Sequence, residues 1–455
     1  MQPNVHAFRE YDIRGKADAD LTDEVARGIG RAFATRLGEA RARPRVAVVR
    51  DCRLSSPRLF DALTGGLVAS GAEVIDLGVG PTPMMYFAAH HLATDGGVMI
   101  TGSHNPGDEN GFKLVRGTAP FFGADIAALH AAIVDERFTA AAGSITRGSV
   151  EADYERALLA GVRLSGAPKV VLDAGNGAGG PIARRVLERA GVPTEALFCE
   201  MDGRFPNHHP DPTQPENLEA LIARVREAGA RVGLALDGEA DRLGAVDERG
   251  DVVWGDKLLV LFARAILRDR PGAAVLGEVK CSQTTYDDIA RRGGRPILWK
   301  TGHSLIKTKM KEEGALLAGE MSGHLFFADR YFGFDDAIYA ALRLVEILAE
   351  TGQGLRELLA DLPVTYVTPE LRVACPDDEK VRVVDAILAR FRQTHEVVDV
   401  DGARVSFGDG AWGLVRASNP QPVLVLRFEA RTEARRDEVR RLVEAAVAEE
   451  RARLR

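Results

Sequence analysis

Three carboxylates, Asp237, Glu239 and Asp241, stand at alternate positions directly after the apolar run Val232 to Leu236. In extended chain that spacing turns all three to one side. Like charges gathered this way repel, and a divalent cation removes the repulsion. Oxygen ligands on a loop suit magnesium, which keeps open positions for a phosphate or water. A solvated acidic turn is the plain alternative. An EF-hand is excluded: Glu248 stands at the twelfth place, but Arg242 sits where that loop requires glycine, and a strand enters where a helix should.

Three further stretches carry comparable chemistry. Thr101-Gly102-Ser103-His104-Asn105-Pro106 follows the apolar run Val98-Met99-Ile100 and offers Ser103 on a tight loop. Such loops at the carboxyl ends of strands are where open α/β sheets hold ligands. Ser103 reads as a nucleophilic or phosphate-carrying serine, or as a plain cap of the next turn. Glu320, Ser322 and His324 alternate in a third loop, where a carboxylate can accept from two sugar hydroxyls with a histidine at hand. Arg416, Ser418, Asn419 and Gln421 gather a guanidinium, a hydroxyl and two amides on one turn, a nest of phosphate size. A polar hairpin turn competes with that reading. Gly175, Gly177 and Gly180 form a GxGxxG with Glu200 at the distance of a ribose-binding acid. No second nucleotide motif supports a dinucleotide fold, so a tightly packed strand-to-helix turn is preferred.

The elements that must position these groups repeat one grammar. Arg45 to Arg50 reads as a strand, Arg58 to Ser70 as a helix, and Glu73 to Leu77 as a second strand. The same order recurs from Lys169 to Cys199 and from Ala273 to Trp299. Each strand–helix–strand unit is followed by a short apolar strand ending in a polar loop, at residues 101, 237 and 319. Three repeats of one plan predict three related α/β domains, each lending a loop. After Pro363 the pattern changes. Strands at Arg372 to Cys375, Arg404 to Phe407, Trp412 to Ala417 and Pro422 to Glu429, with helices at Asp378 to His395 and from Thr432, predict a small antiparallel α+β domain. The expected domains are 1–148, 149–251, 252–363 and 364–455.

Composition agrees with a globular chain of 455 residues and a net charge of −7. No basic tract points to nucleic acid as a partner. Cys52, Cys199, Cys281 and Cys375 are scattered, as expected of reduced thiols rather than a disulfide frame or zinc site. No signal-peptide core opens the chain, and Leu258 to Leu267 is too short and too charged for a membrane span. A monomer in the cytoplasm is expected.

FREYDIRG (8–15), TGSHNP (101–106), NGFK (110–113), FPNHHPDPT (205–213), DGEADR (237–242), KTGHSLIK (300–307), GEMSGHLFF (319–327) and RASN (416–419) together resemble the α-D-phosphohexomutases, above all their bacterial phosphomannomutase/phosphoglucomutase branch. The resemblance implies four domains around a central cleft and interconversion of hexose 6-phosphate and hexose 1-phosphate. It implies a phosphoserine at Ser103, with Asp237, Glu239 and Asp241 holding Mg2+ against it. Arg14, Lys113, His104, Arg242 and Lys280 would line the phosphoryl-transfer region, with Lys113 and His324 as candidates for general base and acid. Tyr11, His303, Glu320 and Ser322 would contact the sugar, and Arg416, Ser418, Asn419 and Gln421 its phosphate. Glucose 1,6-bisphosphate or mannose 1,6-bisphosphate would be intermediate and activator.

Two positions depart from the family pattern. Glu239 stands where an aspartate is usual, and Pro420 replaces a threonine and offers no donor. Met321 stands where phosphoglucosamine mutases carry glutamine, which favours the glucose/mannose branch. A phosphoglucosamine mutase, a metal-dependent sugar phosphohydrolase and a non-catalytic sugar-phosphate binder remain alternatives. A dehydrogenase, resting on the GxGxxG alone, is the remotest.

Overall fold

The computed structural model describes residues 2–418 and 421–454. Three mixed α/β sheets and a fourth, antiparallel sheet follow one another along the chain. In the first, Arg45–Arg50 lies parallel to both Glu73–Val79 and Gly96–Ile100. In the second, Val170–Asp173 lies parallel to Thr194–Leu197 and Val232–Leu236. In the third, Ala274–Glu278 lies parallel to Arg295–Trp299 and Leu317–Gly319. The three-fold grammar is therefore the observed one.

The repeats go one strand further than the sequence reading. Each third parallel strand turns back into an antiparallel partner: Glu109–Arg116, Leu243–Asp247 and Leu325–Phe327. The three chemistry-bearing loops are thus the same hairpin turn in three related sheets. The first hairpin is bordered by Ile13–Lys16, which pairs with Glu109–Arg116 and sets Arg14 opposite Gly111.

The central strands of these sheets are buried on both faces and carry continuous apolar runs such as Val46 to Val49 and Leu234 to Leu236. The helices that cover them start and stop where local chemistry dictates. Thr22 caps Asp23–Gly38 by accepting from Val25 N, and Ser282 caps Gln283–Arg291 by accepting from Thr284 N. Helix Ala337–Thr351 was not anticipated. It is buried almost all round, from Ala337 to Leu348. One apolar cluster runs through all three sheets, taking in Met85, Leu172, Leu234, Leu259, Phe327 and Ile338.

The fourth sheet has its own core, with Val383, Ile387, Val415, Phe428 and Val443. Helices Asp377–Phe391 and Glu433–Leu454 pack on it. The last helix buries Val439, Val443 and Val447 and pairs Arg440 with Glu444 on its outer side.

The GxGxxG turn takes the structural role preferred above. A Cβ on Gly177 would come within 2.8 Å of Gly238 O, and one on Gly180 within 2.4 Å of Cys199 O. The glycines let this turn press against the acidic loop. None of the four cysteines forms a disulfide.

Candidate active site

Ser103 adopts φ +51°, a left-handed conformation that costs a non-glycine residue and persists only where its surroundings impose it. Here the imposing group is Arg53. Its buried guanidinium donates to the carbonyls of Ser103 (2.9 Å), Asn105 (2.6 Å), Pro106 (2.6 Å) and Glu109 (3.0 Å), tying the whole loop from behind. Asp51 accepts from Gly102 N at 3.2 Å and lies 3.3 Å from Arg53 Nε. Gly102 leaves room for that guanidinium, since a Cβ there would sit 2.5 Å from it.

The second domain reaches the same loop. Ser103 Oγ donates to Asp237 Oδ2 at 2.9 Å and lies 3.0 Å from His104 Nδ1. Gly238 brings main chain against main chain, for a Cβ there would meet Ser103 O at 2.5 Å. His209 donates from Nε2 to the His104 carbonyl. Burial, reinforced by Arg242 and Arg14, keeps the His104 ring well below its usual range and hence neutral.

Asp237, Glu239 and Asp241 are all fully buried, with ligand oxygens from each within 4.8 Å of one another. Burial and the other two carboxylates push Asp237 up to about 8. Burial alone would raise Asp241 as well, but Lys113 and His324 hold it down at about 2. Lys113 Nζ donates to Asp241 Oδ2 at 2.8 Å and lies 3.2 Å from Glu239 Oε1. These carboxylates outweigh burial and keep Lys113 an ammonium. Arg14 bonds Asp12 at 3.0 Å, Gly102 O at 3.2 Å, and lies 3.6 Å from Glu239 Oε1. The cluster fits a magnesium ion. Its donors are all oxygens, and Glu239 Oε1 and Asp241 Oδ1 are buried without a hydrogen-bond partner.

The third loop closes over this cluster. Arg242 bridges to His324, with Arg242 Nε donating to His324 Nε2 at 2.9 Å. His324 Nδ1 lies 3.0 Å from Asp335 Oδ2, whose other oxygen accepts from Lys307 at 2.9 Å. Burial disfavours charge on His324, yet Asp241 and Asp335 prevail and raise its pKa. His303 stacks on His324 at 5.9 Å and lies 3.5 Å from Asp12. Burial, with Lys113 and Lys307, lowers His303 to about 4.

Glu320 accepts from Gly302 N at 2.6 Å and from Ser322 Oγ at 3.1 Å. Burial would raise its pKa, but His324 and Lys280 keep the carboxylate ionised. Tyr11 OH donates to Thr301 O at 2.8 Å, which joins the first domain to the third. Asp401 continues the chain of contacts into the fourth domain, accepting from Thr301 N at 3.1 Å and from Arg416 Nε at 3.0 Å. Lys280 lies 3.1 Å from Glu370 and 3.5 Å from Glu278. Ser418 and Gln421 are held through their carbonyls by Lys380 Nζ, at 2.6 and 3.2 Å. The exposed Gln421 side chain is engaged by Arg372 at 3.1 Å and does not join Arg416. Asn419, and the Pro420 departure, lie outside the described residues.

Apart from Ser418, whose carbonyl and amide are held by Lys380 and Val423, every other expected residue falls within one connected network, from Ser103 and the acidic trio through the third loop to Arg416. Sequence reasoning missed Arg53, Asp335, Lys380, Asp401 and Thr82, whose hydroxyl donates to Glu239 Oε2. Asp12 lay inside a quoted motif without a role. Arg53 had no signal beyond following a buried strand by three residues, and Asp335 none at all.

Comparison with known proteins agrees with this geometry. The alpha/beta/alpha domains I, II and III of the phosphoglucomutase/phosphomannomutase family match residues 5–140, 153–250 and 254–366. The C-terminal domain of that family matches 370–446. A phosphomannomutase/phosphoglucomutase of Pseudomonas putida is 48% identical over 429 residues, covering 94% of this chain and 92% of that protein. A phosphoglucomutase of Neisseria meningitidis serogroup A is 44% identical over 445 residues, covering 97% and 96%. A crystal structure of a phosphoglucomutase/phosphomannomutase family protein from Burkholderia thailandensis superposes with a TM-score of 0.93 at 42% identity, covering 99% and 98%. The chain belongs to the α-D-phosphohexomutases, in their bacterial phosphomannomutase/phosphoglucomutase branch, and is an intramolecular phosphotransferase.

Proposed function

We propose that this chain interconverts the 6-phosphate and 1-phosphate of glucose, mannose or both through a phosphoserine at Ser103 and a 1,6-bisphosphate intermediate. The observation that carries the reading is the contact of Ser103 Oγ with Asp237 at 2.9 Å, inside a buried oxygen cluster flanked by Lys113 and Arg14. The domain limits at 148, 251 and 363 belong to the same proposal.

The phosphoryl group passes from Ser103 Oγ to the free sugar hydroxyl. The serine O–P bond breaks and a sugar O–P bond forms. The hydroxyl proton leaves to a base, Ser103 Oγ takes up a proton as it departs from phosphorus, and both transfers run backward when the serine is phosphorylated again. Lys113 and His324 are assigned these proton transfers. Phosphoryl transfer of this kind depends on positioning and charge neutralisation. A magnesium ion held by Asp237, Glu239, Asp241 and the Ser103 phosphate would supply that charge and replace Lys113 as partner of the carboxylates. Arg14 and Arg242 supply fixed positive charge from the protein itself.

Glu320 and Ser322 orient the ring hydroxyls, with His303 and Tyr11 beside them. Arg416 and Ser418, with the amide of Asn419 and, once it leaves Arg372, that of Gln421, take the phosphate that is not reacting. Lys280 stands between the two ends. The bisphosphate then reorients, so that its other phosphate faces Ser103.

The test is a coupled assay with glucose 1-phosphate and mannose 1-phosphate in parallel, with Ser103→Ala as control. Turnover that needs trace bisphosphate and disappears in Ser103→Ala is expected. Steady release of inorganic phosphate without isomerisation would replace the mutase with a phosphohydrolase.

A further inference from the structure

Glu239 is one of the two residues at which this chain departs from its family pattern, and Thr82 is bound to it twice. Thr82 comes from the first domain, at the start of helix Thr82–His91, and is fully buried. Its backbone N donates to Glu239 O at 2.9 Å, and its hydroxyl donates to Glu239 Oε2. A carboxylate only accepts, so the single hydroxyl hydrogen is committed to that oxygen. Glu239 Oε1 is left as the oxygen with no hydrogen bond among the described residues, facing Lys113 and Arg14.

We propose that Thr82 determines cation choice, holding Glu239 to ligation through Oε1 alone and so favouring magnesium over calcium. The proposal rests on the reading that the acidic trio binds the cation. Magnesium demands near-octahedral geometry and single oxygens, whereas calcium takes more ligands and accepts bidentate carboxylates. A glutamate, one methylene longer than aspartate, is able to swing both oxygens toward an ion. With Oε2 tied to Thr82, a bidentate grip requires breaking a buried hydrogen bond. The main chain cannot shift to compensate. Thr82 N holds the carbonyl of Glu239, and Ala337 N holds that of Ala240 at 3.1 Å.

The test uses the full chain, with Mg2+ and Ca2+ binding each measured by titration calorimetry and thermal unfolding recorded alongside. Thr82→Val keeps the volume and removes the donor. The ratio of magnesium to calcium affinity is expected to fall about tenfold in Thr82→Val, in line with the usual effect of losing an outer hydrogen bond at a metal site. Thr82→Ser should keep the wild-type ratio. Should Thr82→Val not fold, Thr82→Ala carries the same expectation. An unchanged ratio in a folded variant that still binds Mg2+ overturns this inference and leaves the metal reading intact. Wild-type protein that binds neither ion, or an Asp241→Asn variant that binds Mg2+ as tightly as wild type, overturns both.

Discussion

The first three sheets share a continuous apolar core, whereas the fourth meets the third largely through polar groups. Arg404 of the fourth domain donates to Val279 O at 2.6 Å, Cys281 O at 2.9 Å and Gln283 Oε1 at 3.2 Å. Ser282 donates to Glu429 at 2.9 Å, and Lys280 faces Glu370. The apolar part of this junction is small: Val279, Trp412 and Leu414 with Leu298 and Val400 around them. An interface of that kind resembles a transient one and permits relative motion. The first three domains are fused, and the fourth, to which the proposed mechanism gives the spare phosphate, is docked. A bisphosphate that turns round, as proposed, would need that division.

The largest effect belongs to the fused part. Ser103→Ala is expected to lose at least about 10³-fold in kcat, a loss on the scale of losing a nucleophile or a key transition-state charge. Retained turnover with added bisphosphate would remove the nucleophile from the reading. Next comes a pH effect on stability. His303, buried and beside Lys113 and Lys307, is held down at about 4, whereas unfolded it titrates near 6.5. Between those values the unfolded chain binds a proton that the folded chain refuses. Stability therefore falls as pH drops from about 6.5 to about 4, by up to roughly 3 kcal/mol. Calorimetry should show this loss in the transition of the fused domains and not in that of the fourth. Parallel pH profiles for wild type and His303→Gln would refute the attribution.

Arg53 probes whether fixed geometry matters as the contrast implies. Arg53→Lys cannot reach all the carbonyls that the guanidinium holds, so kcat should fall about 10²-fold through misplacement of Ser103, with KM little changed. A change in KM alone would show that the loop tolerates its absence. The smallest effect is expected at the docked domain. Arg404→Met removes three hydrogen bonds and should raise KM for the hexose phosphate about tenfold, with a lesser effect on kcat. If kcat falls instead, the fourth domain is part of the chemical step and the contrast fails.

The chain advertised its parallel strands because such strands are buried on both faces and read as unbroken apolar runs. It also advertised the loops, since polar residues following those runs have few other uses. Helix Ala337–Thr351, which carries no chemistry-bearing loop and is buried from Ala337 to Leu348, went unread. The return strand Glu109–Arg116, which carries Lys113, was visible only as the tetrad NGFK, because its polar edge residues break the run. Arg53, Thr82 and Asp335 act on partners 50 or more, 157 and 11 residues away. Contacts of that reach exist only once the sheets have assembled.

Where Gly238 crosses Ser103, no side chain separates the two loops, and the seryl hydroxyl takes its place from the course of the polypeptide itself. A hydroxyl registered in that way, with Arg53 tying its loop from behind, does not depend on the side chains that face the cleft. Pocket walls can then be revised without displacing Ser103.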